Sequence, residues 1–409
     1  MSVSMTDAKY LILIRFVAAL FFAAVTIASF PEFASAKDPA VTGVRLGKNE
    51  SKTRVVLDLT EPVPYSAFLL ENPYRLVIDL PEMDWSVNGD TGEVKHGVVG
   101  GLRYGLFRPG NSRVVVDLTG PVRITTHGAL AKPDRLMFDL LPVAKSKYEA
   151  GQSVAMNNWK PPTAAAIPMP RPKPQDVATR LIVLDPGHGG VDPGAVRGSI
   201  HEKRITMAVA EEVRRQLEAS KRYRVVMTRS RDIFVELRDR VKFAQDQEGD
   251  IFISLHADTH PKRDTRGASV YTLSETASDK EAERLAKKEN MVDIIGGVDL
   301  TGYSPETTNI LLDLTRRRTM EESSVFATYL ISQFRKKKIN LQPYKTHRFA
   351  GFAVLKAPEV PSVLVELGYL SNNTDKKMLQ DRDFHRTVGR AILASLDEYF
   401  KYVDDLAQR

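Results

Sequence analysis

The 409-residue sequence contains no cysteine. Disulfides, thiolate zinc sites, iron–sulfur clusters and cysteine nucleophiles are therefore excluded. Any transition metal must sit on His, Asp or Glu. Histidine is itself scarce, at eight residues: His96, His127, His188, His201, His256, His260, His347 and His385. No charge sign dominates: 58 Lys+Arg against 51 Asp+Glu leave a net charge of +7. A mildly basic surface suits anionic wall polymer, lipid or nucleic acid and selects none of them. With 43% hydrophobic and 27% charged residues, the chain is neither disordered nor fibrous in composition. Outside the N-terminus, no apolar run approaches the ~20 residues a membrane span requires.

The N-terminus reads as an export signal. Lys9 and Arg15 precede an apolar run at residues 16–28, and Ala34-Ser35-Ala36 is a small-x-small cleavage pattern, so the mature chain is expected to begin at Lys37. A signal peptide over residues 1–36 puts the mature protein outside the cytoplasm, away from nucleic acid and with no stable membrane insertion.

Residues 37–143 contain an internal repeat. Arg54-Val55-Val56-Leu57-Asp58-Leu59-Thr60 recurs as Arg113-Val114-Val115-Val116-Asp117-Leu118-Thr119, and Arg75-Leu76-Val77-Ile78-Asp79-Leu80 recurs as Arg135-Leu136-Met137-Phe138-Asp139-Leu140. Short β-branched runs bounded by Pro, Gly and Asn read as strands, and two copies suggest two similar sheets packed face to face. Residues 144–180 shift to a basic, proline-rich composition, with Pro168-Met169-Pro170-Arg171-Pro172-Lys173-Pro174, and read as an extended linker without a fold. From residue 181 onward strands alternate with helices. The expected strands are 181–185, 224–228, 251–255, 268–273, 352–355 and 362–367. Ile205, Val209, Val213 and Leu217 recur every four residues between them, as do Val388, Ile392 and Leu396. This is an α/β domain with a mostly parallel sheet.

Three of the strands end on polar residues. Leu181-Ile182-Val183-Leu184-Asp185-Pro186-Gly187-His188-Gly189-Gly190 places His188 at the carboxyl edge, where ligands of open α/β sheets bind. No Gly-Lys-Ser/Thr follows, so this is not a phosphate loop. His256 follows the apolar run 251–255 in the same way. Either histidine alone is equally a turn or strand-end residue bonded to backbone. Glu366 interrupts the apolar strand Ser362-Val363-Leu364-Val365-Glu366, a costly place for a carboxylate without a partner. A metal, a proton-transfer role or an ion pair with a nearby Arg or Lys would each account for it. Glu202 opens the helix after the His188 loop, where the helix dipole alone favours an acid, and its neighbour His201 is a competing ligand. His201-Glu202-Lys203-Arg204-Ile205 lacks the second histidine of a zincin helix.

Leu184-Asp185-Pro186-Gly187-His188-Gly189-Gly190, Glu202-Lys203, Ser254-Leu255-His256-Ala257-Asp258 and Pro361-Ser362-Val363-Leu364-Val365-Glu366-Leu367-Gly368-Tyr369-Leu370-Ser371-Asn372 together resemble the zinc-dependent N-acetylmuramoyl-L-alanine amidases of the Amidase_3 type, over about residues 181–402. The repeated segment resembles the AMIN domain that precedes such amidases in Gram-negative bacteria. The resemblance implies His188, Glu202 and His256 as Zn2+ ligands and Glu366 as catalytic acid/base. It also implies a mixed, largely parallel sheet with helices on both faces, periplasmic cleavage of the amide between the lactyl group and L-alanine in peptidoglycan, and a role in daughter-cell separation. A zinc peptidase on the same ligands and a non-catalytic wall-binding scaffold are the rival readings.

A long insertion follows the strand at 268–273. Ser278-Asp279-Lys280-Glu281 reads as a capping box, and the helix it opens carries Ala282, Leu285, Ala286, Val292 and Gly296 on one stripe. At ~100° per residue Glu289 falls on that stripe and Glu283 opposite it. Division amidases of the family carry an inserted helix whose Glu caps the zinc until an activator with a LytM domain moves it. The resemblance thus implies Glu289 as an inhibitory zinc ligand on a helix around residues 278–297; a local ion pair with Lys288 or Lys345 is the alternative.

Overall fold

The structure, a computed structural model, describes residues 39–49, 51–87, 95–162, 179–299, 310–343 and 345–408. The expected signal peptide, residues 163–178 of the expected linker and residues 300–309 lie outside the described residues.

The N-terminal part is a β-sandwich. β1 (Ala40–Asn49), β2 (Lys52–Leu59), β3 (Ser66–Leu70), β4 (Arg75–Pro81) and the short β5 (Asp84–Trp85) form its first half. β6 (Val99–Arg108), β7 (Asn111–Leu118), β8 (Val122–Leu130) and β9 (Arg135–Pro142) form the second. The two sheets expected from the repeat are present, but neither belongs to one copy. Their orders are β5-β1-β2-β9-β8 and, with β10 (Ser153–Ala155) at one edge, β10-β3-β4-β7-β6, so each sheet joins two strands of one copy to two of the other. Pairing explains the exchange. Antiparallel register sets Arg54 opposite Asp139 and Asp58 opposite Arg135 in one sheet, and Arg75 opposite Asp117 and Asp79 opposite Arg113 in the other. Opposite charges face each other across every junction, and alternate residues such as Leu57, Leu76, Val114 and Phe138 fill the space between the sheets.

β10 (Ser153–Ala155) corrects the expectation that nothing folds across residues 144–180. It pairs with β3, while the Tyr148 hydroxyl donates to the Leu70 carbonyl at 2.8 Å. Edge pairing and an aromatic anchor order a segment whose composition alone reads as linker.

The second part is built on a six-stranded sheet. Its strands are β11 (Arg180–Pro186), β14 (Tyr223–Met227), β15 (Ile251–His256), β16 (Ser269–Leu273), β17 (His347–Ala350) and β18 (Ser362–Glu366), in the order β14-β11-β15-β18-β16-β17. All neighbours are parallel except β16 against β18. A two-stranded ribbon, β12 (Val196–Arg197) with β13 (Ile200–His201), lies beside it. The expected strand at 352–355 is instead a single 3-10 turn, Ala353–Leu355, and β17 precedes it; a short apolar run serves either conformation equally well. α1 (Glu202–Ala219), α5 (Ile310–Lys336) and α7 (Arg382–Ala407) cover one face, burying Val209, Val213, Phe326, Val388 and Ile392. On the other face, α2 (Leu237–Asp246), α3 (Lys280–Glu289) and the single turn α4 (Val292–Ile295) pack in a cluster that includes Phe107 and Val115 of the sandwich. α6 (Asn373–Leu379) completes the helices named. No helix among the described residues is long and apolar enough to cross a membrane.

Candidate metal centre and active site

Parallel strands end on the same edge, so three consecutive carboxyl ends of the central strands supply most of the site. The chain leaves β11 through a tight turn in which His188 takes φ 62°, a left-handed conformation that non-glycine residues seldom adopt. Buried arginines hold that turn. Arg240 donates to the His188 carbonyl at 2.9 Å and to the Asp185 carboxylate at 2.6 Å, and Arg229 donates to the Gly187 carbonyl at 3.0 Å. Gly187 leaves room for the second histidine: a Cβ there would lie 2.5 Å from the His256 ring. His256 ends β15 and is the register partner of Glu366 at the end of β18. Glu202 begins α1 and is fully buried.

These side chains meet. Glu202 Oε2 lies 3.2 Å from His188 Nε2 and Oε1 lies 3.2 Å from His256 Nδ1. The Glu202 carboxylate is fixed by the Ala195 and Ala257 amides, each donating at 2.8 Å. Burial opposes its charge, but the two histidines hold its pKa well below the usual range. Glu289 reaches in from α3, its Oε2 3.6 Å from His188 Nε2 and 3.4 Å from His256 Nδ1. Donor atoms of His188, His256 and Glu289 lie within 4.8 Å of one another. His201, the competing ligand, is not in that group; it sits in β13 as the N-cap of α1.

Glu366 stands next to this cluster with Oε2 accepting the Asp258 amide at 3.1 Å. Burial, then the neighbouring Glu202, Asp258 and Glu289, push its pKa well above the usual carboxylate range. A basic partner does not account for it.

The donor set fits a cation. His188 Nε2, both oxygens of Glu289 and Glu366 Oε1 are buried without a hydrogen-bond partner among the described residues. Buried polar atoms normally find partners, and here the unpaired ones converge among several carboxylates. Neutral imidazole and carboxylate are the ligands expected of a cysteine-free zinc site.

Sequence reasoning missed three supporting groups. Asp192 Oδ2 meets His188 Nδ1 at 2.7 Å, leaving Nε2 aimed at the cluster. A lone aspartate in a glycine-rich loop reads as a turn residue, so the only signal was its position four residues after His188. Lys288 of α3 forms a close ion pair with the fully buried Asp258. Asp185 joins Arg240, Thr228 and Ser254 beneath the loop.

The inserted helix presents part of the expected stripe: Ala282, Leu285, Ala286 and Glu289 are buried, but the helix ends at Glu289 rather than near residue 297, and Val292 and Gly296 belong to the separate turn α4 and its cap; Glu283 faces outward and pairs with Lys287 at 2.6 Å. Its cap differs from the expected one. Asp279, not Ser278, accepts the Glu281 and Ala282 amides at 3.0 Å, and Glu281 is drawn instead to Arg284 and His260. Lys345 pairs with Asp279 at 3.5 Å, and Lys288 lies 3.9 Å from Glu289.

A family model described as N-acetylmuramoyl-L-alanine amidase matches residues 182–398, and an AMIN domain model matches residues 41–140. The N-acetylmuramoyl-L-alanine amidase AmiC of Escherichia coli O6:H1 is 32% identical over 388 residues, covering 90% of this chain and 91% of that one. AmiC of Neisseria meningitidis serogroup B is 31% identical over 388 residues, with coverage of 88% and 90%. Among solved structures, the catalytic domain of the amidase CwlV from Bacillus (Paenibacillus) polymyxa var. colistinus is similar at 26% identity and a TM-score of 0.41, over 55% of this chain and 99% of that one.

Proposed function

From the chain's membership of the N-acetylmuramoyl-L-alanine amidase family, which makes it an amidase of peptidoglycan, we propose that it is an autoinhibited zinc amidase in which His188, Glu202 and His256 hold the metal. The observation that carries this reading is the buried meeting of His188 and His256 with Glu202, the first residue of α1, at 3.2 Å each, with His188 Nε2 left without a hydrogen bond among the described residues. Zinc bound there would supply a Lewis acid that acidifies a water molecule and polarises the lactyl carbonyl.

The protein's own residues do the rest. Asp192 accepts the Nδ1 proton of His188 and so keeps Nε2 free for the metal. Glu366, held by the Asp258 amide, takes a proton from the attacking water and returns it to the leaving alanine nitrogen. Its raised proton affinity suits that double task, since an effective acid/base titrates near the working pH. Glu289, with no hydrogen-bond partner of its own, occupies the position substrate needs, and the Lys288–Asp258 pair fastens α3 over it.

On this reading residues 1–36 direct export to the periplasm. The sandwich, residues 37–143, binds the wall at the division site, and the residue 181–409 domain separates daughter cells once an activator with a LytM-like domain lifts α3. The test is turbidity loss of purified sacculi with product mass analysis. Wild type is expected to be nearly silent, and Glu289→Ala to release intact stem peptides free of muramic acid at a rate at least ~10-fold higher, abolished by a zinc chelator. Shortened stems would identify a peptidase instead. A silent Glu289→Ala that still binds zinc would remove the inhibitory role of Glu289.

A further inference from the structure

The segment that follows the inserted helix does not rest on the catalytic domain alone. Residues 294–297, at the end of the single turn α4, lie against the outward face of the β10-β3-β4-β7-β6 sheet, and three arginines of that sheet donate to four successive backbone carbonyls. Arg75 Nη1 reaches Ile294 O at 2.5 Å, and Arg103 Nε reaches Ile295 O at 3.3 Å. Arg113 Nη1 spans Gly296 O at 3.3 Å and Gly297 O at 2.9 Å. The Ile294 carbonyl also accepts the Gly297 amide at 3.0 Å, so the arginines tie down a turn that is already closed on itself.

The arginines are themselves immobilised. Arg113 is gripped by buried Asp79 at 2.7 and 3.0 Å and lies 3.5 Å over the Phe107 ring; Asp117 holds Arg103. Val77 and Val115 between them contact Gly297, a Cβ on which would fall 3.1 and 3.0 Å from their methyls. Beside this contact, β6 abuts the catalytic loop: Phe234 donates its amide to the Leu106 carbonyl at 3.0 Å, and a Cβ on Gly105 would strike the Gly190 carbonyl at 2.4 Å.

We propose that the N-terminal sandwich is the second half of the lock, its Arg75, Arg103 and Arg113 clamping the α4 turn that directly follows the inserted helix and so keeping Glu289 seated. The inference rests on the reading of α3 as an inhibitory plug. Activation then requires the arginine face to release residues 294–297 as well as α3 to leave the metal site. A ligand that loads the sandwich can therefore influence catalysis through this contact. A cleft of about 470 Å3, lined in part by Phe68, Leu70, Arg75, Ile294 and Asp299, runs along the seam.

The other sheet provides a built-in control. The repeat places Arg45, Arg54 and Arg135 on its outward face as counterparts of Arg103, Arg113 and Arg75. Arg54 is held by Asp139 at 2.7 and 2.8 Å, just as Arg113 is by Asp79, and Arg45 is held by Asp58. There the Arg45 and Arg54 side chains keep 56% and 34% exposure, against 17% and 8% for Arg103 and Arg113. The same three residues thus cap a plug on one sheet and face outward on the other.

The experiment compares full-length wild type with Arg103→Ala, Arg113→Ala, Arg54→Ala and Glu289→Ala. It reads amide hydrogen exchange over residues 291–298 and basal sacculus hydrolysis, with near-UV circular dichroism to confirm folding. Arg103→Ala and Arg113→Ala are expected to speed exchange there by about tenfold and to raise basal hydrolysis several-fold. Arg54→Ala, which strips a comparable buried aspartate of its partner, is expected to raise neither. Unchanged exchange in both clamp variants overturns the clamp, as does an equal response from Arg54→Ala. If Glu289→Ala alone raises hydrolysis, the plug stands and the clamp falls. If Glu289→Ala is silent while the clamp variants still speed exchange, the arginine contact is real but the inhibitory reading beneath it fails.

Discussion

Asp192 shows how much of the site depends on residues that touch no substrate. Its carboxylate, 2.7 Å from His188 Nδ1 and almost fully buried, fixes the tautomer and orientation of a ligand whose own backbone sits in the left-handed region. Burial opposes a charge on Asp192, but the histidine beside it holds its pKa below the usual range. Outer carboxylates of this kind are typically worth 10–100-fold in metal affinity. Asp192→Ala is therefore expected to weaken zinc binding by roughly that factor in a chelator competition, with the fold retained. Affinity within twofold of wild type would show that the loop alone orients His188. At this scale His188, His256 and Glu366 were legible because each polar residue breaks or ends an apolar strand. Asp192 and Asp258 were not, because aspartates in loops are ordinary and only the fold shows what they face.

The inserted segment carries its own titrating group. Asp293 in α4 accepts the Leu237 amide at 2.9 Å, joining α4 to the start of α2. Burial, together with Glu236 and Asp239 and against the Leu237 amide and Arg240, pushes its pKa up to about 6. The packed α4 turn thus binds the Asp293 proton more tightly than an exposed aspartate of pKa ~3.9 does. That added stability is complete below pH ~4 and is lost as pH rises through about 6. A shift of about two units corresponds to at most ~3 kcal/mol. Exchange over residues 291–297, corrected for its intrinsic pH dependence, is expected to accelerate between pH 4.5 and 7.5 in wild type. It should stay flat in Asp293→Asn, which keeps the acceptor for Leu237; parallel slopes in the two proteins would refute a role for Asp293. Helix existence and its buried stripe were readable here from periodicity. The cap was not, because Ser278 and Asp279 are both good N-caps and only the contacts of Glu281 with Arg284 and His260 decide between them.

Across the whole molecule, one buried centre ties together the loop after β11, the start of α1, the end of β15 and the end of α3. A metal held there cross-links elements far apart in sequence and stabilises the folded state by mass action, about 2.7 kcal/mol when free metal is 100-fold above its dissociation constant. Chelation is expected to lower the thermal midpoint of the full chain by roughly 5–10 °C, and zinc to restore it. A midpoint that ignores chelator, with metal loss confirmed by mass analysis, would mean that the centre is assembled without the ion. The sandwich belongs to the same body: Phe107 and Val115 share a core with Phe234, Leu285 and Val292, so its loosening is expected to reach α3 and α4.

The sequence by itself determined the local and the periodic. It set most of the runs that become strands, which faces of α1, α3 and α7 are apolar, that any metal site must be built from His and carboxylate, and that the N-terminal part is a duplicated β unit. These follow from residue type and spacing, which act within a few residues. Tertiary structure alone decided that the two repeat copies exchange strands, that residues 153–155 join a sheet edge, that Asp192 backs His188, and that Arg75, Arg103 and Arg113 close on carbonyls almost two hundred residues and more away. Those contacts depend on which of two equivalent arginine faces meets residues 294–297, and that choice is made by the packing of the sandwich against the loop after β11 rather than by any property of the arginines themselves.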